Sequence, residues 1–345
     1  MRKWGFVAVA IAIGGCAGLA APALADDDEP GAGAGAHGAD RDKAVETENI
    51  FGFTAGSDTG DANGKGLSAE ATPRIGKRIG AYRALGTKNE FGFGVTDDFN
   101  MSFSALGDCH RIRNVPEFDD VRGRCAFGGF GTEIRWRFID RSKGPFGLTL
   151  QLEPGFSRID GGSGLAGRAL GAENKLIFDR ELVPGVLFGA VNLLYDVERF
   201  RERNALASER GGRPGVSAAL AVQVAPKVLL GAEARYQRTY EGLSLSRYSG
   251  DAFFVGPTLF AQSGNVWLSA AWNVQVAGRE AVNRPERAAA IVEASNATAD
   301  ALAAALAAGE EPPAPVAPDL PLRHRRLNLK DFERHQVKLK VGFDF

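Results

Sequence analysis

The sequence has no long apolar run beyond its N-terminal region. After residue 25 there is no stretch of about eighteen apolar residues, so the mature chain is not expected to contain a transmembrane helix. An excess of one charge is also missing, because 41 basic residues stand against 42 acidic ones. This balance gives no basic surplus for binding nucleic acid. Methionine is rare, with 2 residues, whereas glycine is abundant, with 44, and this mix does not suit a helical protein.

Residues 1–25 are predicted to be a secretory signal peptide. Arg2 and Lys3 provide the positive start, an apolar core follows, and Ala23-Leu24-Ala25 gives a small-x-small cleavage site. An uncleaved membrane anchor and a lipid-anchored Cys16 are the alternatives. The short apolar core argues against the first, and the better-placed Ala-Leu-Ala site argues against the second.

Cysteine is scarce as well. Cys16 falls within the predicted signal peptide, so the exported chain keeps only Cys109 and Cys125. An exported pair in an oxidising compartment is expected to form a disulfide, here across one loop. Two free thiols are the alternative.

The residues that follow the signal peptide offer little to bury. Residues 26–47 are acidic and rich in glycine and alanine, so we expect them to be disordered. Residues 48–65 contain Ile50, Phe51 and Phe53 among turn-forming residues, and we predict a periplasmic N-terminal segment or a plug. The stretch DTGDANG does not keep the ligand spacing of a calcium loop, so no metal site is predicted.

From about residue 66 onward, apolar residues recur at every second position, which is typical of strands. Turn-forming residues separate the alternating segments. We predict twelve strands, with fourteen as the alternative. The expected bounds are 66–76, 82–96, 99–109, 126–139, 146–158, 168–181, 186–199, 214–225, 228–241, 252–262, 266–278 and 333–345.

The connections between these strands alternate between short and long. Tight turns follow the even strands, whereas the odd strands are mostly followed by longer loops. An outer-membrane barrel has this layout, and a soluble sandwich has no reason to separate its loops by length. We therefore predict an all-β fold, a transmembrane antiparallel up-and-down β-barrel over residues 66–345. Its turns would be periplasmic and its long loops extracellular, including an insertion at 280–332.

Each predicted strand has one apolar and one polar face. Twelve strands enclose a lumen too wide for a dry core, so we expect the polar face inside and the apolar face against lipid. The inward charges of both signs have two open interpretations: they form ion pairs that brace the wall, or they line a selective pore. Neither interpretation implies a strong preference for anions or cations. The predicted lumen-facing charges are Glu70, Arg74, Lys88, Glu90, Glu133, Arg135, Arg137, Glu153, Glu173, Lys175, Asp179, Glu233, Arg235, Lys338 and Lys340.

The last strand, HQVKLKVGFDF, has apolar residues at alternate positions: Val337, Leu339, Val341, Phe343 and Phe345. This pattern resembles the C-terminal signature of Gram-negative outer-membrane β-barrel proteins. The resemblance implies that the barrel-assembly machinery recognises these residues. It also implies a location in the bacterial outer membrane, among outer-membrane lipid and lipopolysaccharide. The stretch FGFTAGSD is similar to uncharacterised alphaproteobacterial barrel proteins, which implies a location and no substrate.

No catalytic constellation is evident. His37 lies in the predicted disordered segment, His110 and His324 fall in expected long loops, and His335 opens the last strand. Ser68 could approach His335, but its position in the alternation points inward. The motifs G-x-S-x-G and H-E-x-x-H and a phosphate loop are missing, so we predict no enzymatic activity and no cofactor.

The insertion at 280–332 is predicted to contain a helix and a stiff Pro-rich linker. Asn283 could cap the helix, which would stop at Gly309. A solvated surface insertion, a lid over the mouth, and a contact of Arg323, Arg325 and Arg326 with lipopolysaccharide phosphates all remain open.

These observations favour an outer-membrane channel for passive passage of small polar solutes, with no nucleic acid partner. One alternative is a plugged structural or surface-interaction barrel. The other is a lipid-acting outer-membrane enzyme.

Overall fold

The computed structural model describes residues 45–116, 118–281, 284–317 and 327–345. The predicted signal peptide, residues 26–44 of the predicted disordered segment, and the candidate helix cap Asn283 lie outside these ranges. The same is true of the stretch from 318 to 326, which contains Arg323, Arg325 and Arg326.

Twelve antiparallel strands form a closed barrel. Each strand pairs with its neighbour in sequence, and the last strand pairs with the first to complete the ring. The predicted twelve strands are confirmed, and the alternative of fourteen is wrong for the described part of the chain. The strands are β1 (Lys65–Ile75), β2 (Ala81–Thr96), β3 (Phe99–Arg113), β4 (Val121–Ile139), β5 (Gly147–Ile159), β6 (Ala166–Val183), β7 (Leu187–Glu202), β8 (Glu209–Ala225), β9 (Val228–Glu241), β10 (Arg247–Ser263), β11 (Val266–Glu280) and β12 (His335–Asp344).

Several strands run further toward the long loops than the sequence predicts. β4 begins at Val121, β8 at Glu209 and β10 at Arg247, each about five residues earlier than expected. Their added residues include glycine and charged side chains, as in ERGGR of β8. Beyond a membrane both faces of a strand are wet, so the apolar alternation disappears although backbone pairing continues.

The short turns require backbone conformations that favour glycine. Gly185 and Gly264 occupy two of them with φ of 66° and 56°, and Lys227 adopts φ of 55° in a third. Such left-handed residues match the twist of the flanking strands and keep the loop tight.

The outer surface of the barrel exposes many large apolar side chains. Large side chains such as Phe130, Leu170 and Trp136 are more than half exposed, at 62 %, 62 % and 54 %. A soluble protein rarely exposes so large a continuous apolar surface, whereas a barrel in a bilayer presents it to lipid.

The insertion contains one helix, α1 (Arg284–Ala308), as the sequence predicts. Gly309 follows with φ of 69°, the left-handed residue that commonly ends a helix. The Thr298 hydroxyl donates to the carbonyl of Ala294 and accepts from the amide of Val316, so the Pro-rich segment folds back along the helix. Within the described ranges, no helix is both long and apolar enough to cross a membrane.

Candidate functional site: the occupied lumen

The N-terminal segment lies inside the barrel, in the half near the short turns. We call residues 45–64 the plug segment. Val45, Thr47, Ile50 and Phe51 are all buried there. The expected boundary between disorder and plug at residue 48 therefore moves to residue 45, because Val45 belongs to the same buried apolar cluster as Ile50 and Phe51.

Two carboxylates of the barrel wall bind backbone amides of the plug segment. Glu233 on β9 accepts from the amides of Phe53 and Thr54, at 2.8 and 3.0 Å. Asp179 on β6 accepts from the amide of Ser57 at 3.0 Å, and also from the hydroxyls of Ser57 and Thr47. Hydrogen bonds to a charged acceptor are roughly twice as strong as neutral ones, so these two side chains are principal anchors.

Two arginines hold the next part of the plug segment. Arg135 on β4 donates to the carbonyls of Gly56 and Asp58, at 2.6 and 3.0 Å. Arg141, in the turn after β4, lies 2.9 Å from the Asp58 carboxylate and donates to the carbonyl of Val45. Burial opposes the charged form of Arg141, but the carboxylates of Asp58, Asp179 and Glu181 together outweigh it and raise the pKa of the guanidinium.

Neutral side chains of the wall also form polar contacts with the plug segment. Asn192 on β7 accepts from the amide of Ala55 at 2.7 Å and donates to its carbonyl at 2.9 Å. Ser269 on β11 donates to the carbonyl of Phe51 at 3.0 Å. The plug segment is therefore bonded to strands on opposite sides of the barrel, and backbone polar groups that would otherwise be buried without partners are satisfied.

An apolar patch of the wall receives Ile50 and Phe51. It consists of inward-facing residues of β7 to β11, namely Phe188, Ala190, Ala219, Ala221, Leu229, Phe260 and Trp267. The alternation in the sequence predicted a polar inner face and did not indicate this patch. The available signal was lost alternation, because stretches such as LFGAVNLL in β7 and AALAV in β8 are apolar on both faces.

The backbone of the plug segment lies very close to the wall at Gly52. A β-carbon at this position would lie 2.2 Å from the β-carbon of Ala271 and 2.7 Å from a carboxylate oxygen of Glu233. Only glycine allows the backbone to approach the wall so closely.

Above the plug segment, predicted lumen charges form an ion-pair network around Lys88. Its ammonium lies 2.7 Å from Glu90, 2.6 Å from Glu153 and 3.5 Å from Glu133. Lys340 also approaches Glu90, at 3.7 Å. In the part of the chain that the structure describes, no group of three or more potential ligand side chains is arranged to hold a metal ion.

The other predicted lumen residues lie around this network. Across the seam between β1 and β12, Lys338 lies 3.3 Å from Glu70. Arg235 lies over the ring of Phe53, 4.3 Å from its centroid, and donates to Gln336. Elsewhere the side chain of Glu173 is 61 % exposed and its carboxylate is 4.0 Å from Lys175.

The two remaining predicted lumen residues lie near the ends of the barrel. Arg137 lies beside the short turns, where it donates to Asp98 at 2.9 Å. Arg74 lies at the opposite end and donates to the carbonyl of Gly161 in the loop between β5 and β6.

A second segment lies inside the barrel near the long loops. It consists of residues 327–334, which we call the mouth segment. Phe332 is buried with Ala252 and Phe254, and the Gln275 amide donates to the carbonyl of Asn328 at 2.9 Å. Polar and apolar contacts thus occupy both ends of the lumen.

Among the described residues, neither His110 nor His335 forms a hydrogen bond with a serine. His110 was expected in a long loop, but it belongs to β3, faces the lumen and contacts the carbonyl of Gly161 at 2.9 Å. The strand continues four residues beyond its predicted end, which corrects the assignment. His335 lies beside Trp272, with ring centroids 5.9 Å apart, and Ser68 interacts instead with Glu90.

The predicted disulfide between Cys109 and Cys125 is present. The two residues are direct partners in the ladder between β3 and β4, on the outward face. The bridge therefore joins two paired strands below their loop, whereas the sequence predicted a bridge at the edges of the loop.

At the C-terminus, the backbone of Phe345 exchanges hydrogen bonds with Lys65, at 2.8 and 3.2 Å, and so extends the closing seam. The side chains of Phe343 and Phe345 stack and remain 44 % and 57 % exposed. Val337, Leu339 and Val341 precede them as partly buried residues in the same alternation. The five residues of the predicted assembly signal thus form one row.

These features define a class: a closed antiparallel barrel of the outer-membrane type, occupied by its own N-terminal segment. A family model described as "Family of unknown function (DUF6662)" matches residues 43–289, and the chain belongs to this family. No curated protein matches the chain.

Two outer-membrane proteins are among the solved structures to which the chain is similar. An outer membrane channel from Pseudomonas putida F1 has a TM-score of 0.49 and 8 % identity, over 84 % of this chain and 98 % of that chain. OmpT, an outer membrane protein of Vibrio cholerae, has a TM-score of 0.32 and 7 % identity, over 81 % of this chain and 96 % of that chain.

Proposed function

We propose that this protein is an outer-membrane channel for small polar solutes and that the plug segment closes it. The apolar outer wall supports the membrane location. The proposal that the plug segment opens and closes the channel is supported by the chemistry of its docking site. There, Glu233, Asp179 and Arg135 bind the plug segment mainly through polar groups.

Because the plug segment is docked mainly through polar groups, the free-energy cost of its release is small enough for closure to be reversible. When the plug segment leaves, the carboxylates and the guanidinium of the wall regain water, which offsets part of the free energy of the lost hydrogen bonds. Ile50 and Phe51 are the main apolar anchors, and each resists exposure by about 1.5–3 kcal/mol. A segment held in this way can be released without unfolding the barrel.

The charged network above the plug supports a polar solute. Lys88 and the surrounding glutamates line the passage with both signs, so an open lumen would hold water and solutes that form hydrogen bonds. With twelve strands the channel is narrow.

Conductance in planar bilayers tests the proposal. The mature chain should conduct rarely, and a variant without residues 45–64 should conduct steadily. A second variant, Ala55→Cys/Asn192→Cys, places thiols where plug and wall exchange two hydrogen bonds. The oxidised form of this variant should stay closed, and addition of reductant should restore opening. The unaltered chain, treated with the same reductant, is the control, and its conductance should increase less.

The second candidate is a plugged structural barrel. It is favoured by the mouth segment, whose Phe332 and Asn328 are buried at the other end of the lumen. Under this alternative, removal of residues 45–64 would leave the barrel folded and without conductance.

A further inference from the structure

Arginines lie directly opposite one another on the outer face of the barrel, near the long loops. Arg111 on β3 is the ladder partner of Arg83 on β2 and of Arg122 on β4. All three side chains are exposed. We call these three residues the arginine trio. Direct partners across strands have β-carbons about 5 Å apart, so like charges there destabilise the sheet unless something neutralises them.

A second group lies on β5 to β8, which we call the arginine cluster. Arg168 is the ladder partner of Arg201, and Arg199 is the partner of Arg210. Arg158 on β5 lies in the bulged region beside Arg168. All five are exposed, so the cluster concentrates five positive charges on four neighbouring strands.

Among the described residues, no carboxylate forms an ion pair with either group. The neutral hydroxyl of Ser208, which accepts from Arg199 at 3.0 Å, is the side-chain partner that the structure shows. Other arginines at the end of the barrel near the long loops, which we call the rim, have acidic partners. Arg279 lies 3.6 Å from Asp251, and Arg247 pairs with Glu241. The rim thus separates arginines with acidic partners from arginines that lack them.

The missing counter-charge has a defined chemistry. The planar guanidinium binds phosphate through two parallel hydrogen bonds, and one phosphate can bridge two neighbouring arginines. A phosphate between Arg168 and Arg201 would turn a repulsive pair into an attractive one.

The neighbouring surface indicates that the phosphate belongs to a lipid. Leu170, 62 % exposed, follows Arg168 on the same face of β6, and Phe156 precedes Arg158 on the same face of β5. Phe156 also lines an outer groove together with Phe103 and Phe130. A molecule with its phosphate on the arginines would therefore have apolar surface directly beside it for acyl chains.

We propose that the arginine cluster and the arginine trio bind the phosphate groups of an outer-leaflet glycolipid. The inference rests on the outer-membrane location in the proposed function and goes beyond transport. It does not depend on whether the lumen opens.

Binding of purified lipid A to the full mature chain, folded in non-ionic detergent, tests this assignment. Native mass spectrometry would compare bisphosphorylated lipid A, the same lipid after removal of its phosphates, and inorganic phosphate as competitor. The test variant is Arg168→Gln/Arg201→Gln. The matched control is Arg247→Gln/Arg279→Gln, which removes the same charge from compensated positions. Circular dichroism and heat-dependent gel mobility would verify that both variants are folded.

We expect removal of the lipid phosphates, and the test variant, each to weaken binding about tenfold or more, because each loses charge-assisted hydrogen bonds. The control should stay within about twofold of the unaltered chain, since its arginines already have carboxylate partners. Equal weakening by both variants would overturn the site, as would binding that ignores the phosphates. Displacement of the lipid by inorganic phosphate at similar concentration would overturn the lipid assignment.

These outcomes are separable from those of the proposed function. A barrel that binds lipid A and never conducts would leave this site standing and refute the channel. A barrel that conducts but binds phosphorylated and dephosphorylated lipid equally would support the channel and refute this site.

Discussion

The carboxylate of Glu233 accepts a hydrogen bond from the backbone amide of Phe53 at 2.8 Å, although the two residues are 180 positions apart. Glu233 is buried on the inner face of β9, and Phe53 lies in the middle of the plug segment. The contact joins the earliest described part of the chain to the second half of the barrel. The plug can therefore dock only once β9 is in place.

Replacement of Glu233 by alanine should loosen the plug segment. The change removes a charged acceptor from the amides of Phe53 and Thr54, and such hydrogen bonds contribute about 1.5–3 kcal/mol each. We expect more frequent channel opening and faster proteolysis within residues 45–64. Glu241→Ala is the control, because Glu241 lies on the same strand but is exposed and pairs with Arg247. Equal effects of the two substitutions would contradict the anchoring role of Glu233.

Two glycines of the plug segment offer a steric test. In Gly52→Ala the new methyl group would clash with Ala271 at 2.2 Å, whereas at Gly60 the nearest atom would be 4.0 Å away. We expect Gly52→Ala to displace the plug and raise conductance, and Gly60→Ala to leave it in place. Proteolysis of the folded barrel would report the same difference. An unchanged Gly52→Ala variant would mean that the plug segment shifts freely against β11.

Docking of the plug segment should depend on pH through Glu48. Burial of this carboxyl raises its pKa above the ordinary value of 4.5, and repulsion from Glu133 and Glu90 adds to the effect, although Arg135 and Lys340 oppose it. Because the docked state binds the proton more tightly, docking is favoured at low pH. It weakens as the pH rises from 4.5 through the raised pKa.

Glu48→Gln should remove this contribution. The amide cannot ionise, so we expect tighter docking near neutral pH and a flatter dependence of conductance on pH. Glu310→Gln, an exposed position beyond the helix of the insertion, should change neither quantity. A pH profile that stays the same in Glu48→Gln would show that other groups control docking.

The sequence predicted the barrel well because its wall obeys one simple rule. Alternating residues in β5 or β12 report which face meets lipid, and the contrast between short turns and long loops orders the strands. The docked plug segment was harder to foresee. Ile50 and Phe51 suggested something to bury, but their receptor is spread over five strands. The arginine pairs depend on register, which the sequence does not fix where bulges such as that at Gly123 shift it.

The disulfide between Cys109 and Cys125 should stabilise the end of the barrel near the long loops. Its ring spans 16 positions, for which the chain-entropy model gives about 3 kcal/mol in the free energy of unfolding. The bridge lies beside the repelling pair Arg111 and Arg122, so its loss should also let these strand ends separate. Cys109→Ser/Cys125→Ser should therefore unfold at lower urea concentration, measured in detergent. The natural chain with its disulfide reduced should unfold at the same urea concentration as this variant. If the oxidised natural chain unfolded there as well, the prediction would be contradicted.

Lys88 should be the most sensitive charge in the lumen. It neutralises Glu90, Glu133 and Glu153, and its side chain is only 17 % exposed. Lys88→Met leaves three neighbouring carboxylates without this cation, which we expect to lower the free energy of unfolding by about 3 kcal/mol. In the form without the plug segment, the exposed carboxylates should also shift the permeability ratio toward cations.

Lys143→Met is the matched control for this substitution. Lys143 also pairs with a carboxylate, that of Asp140, but its side chain is 76 % exposed and lies in a turn outside the lumen. A surface pair of this kind contributes at most about 1 kcal/mol, so stability and permeability should both stay nearly unchanged. If Lys88→Met were as mild as Lys143→Met, water would already screen the lumen charges fully. The ion-pair network would then shape the solute path without bracing the wall.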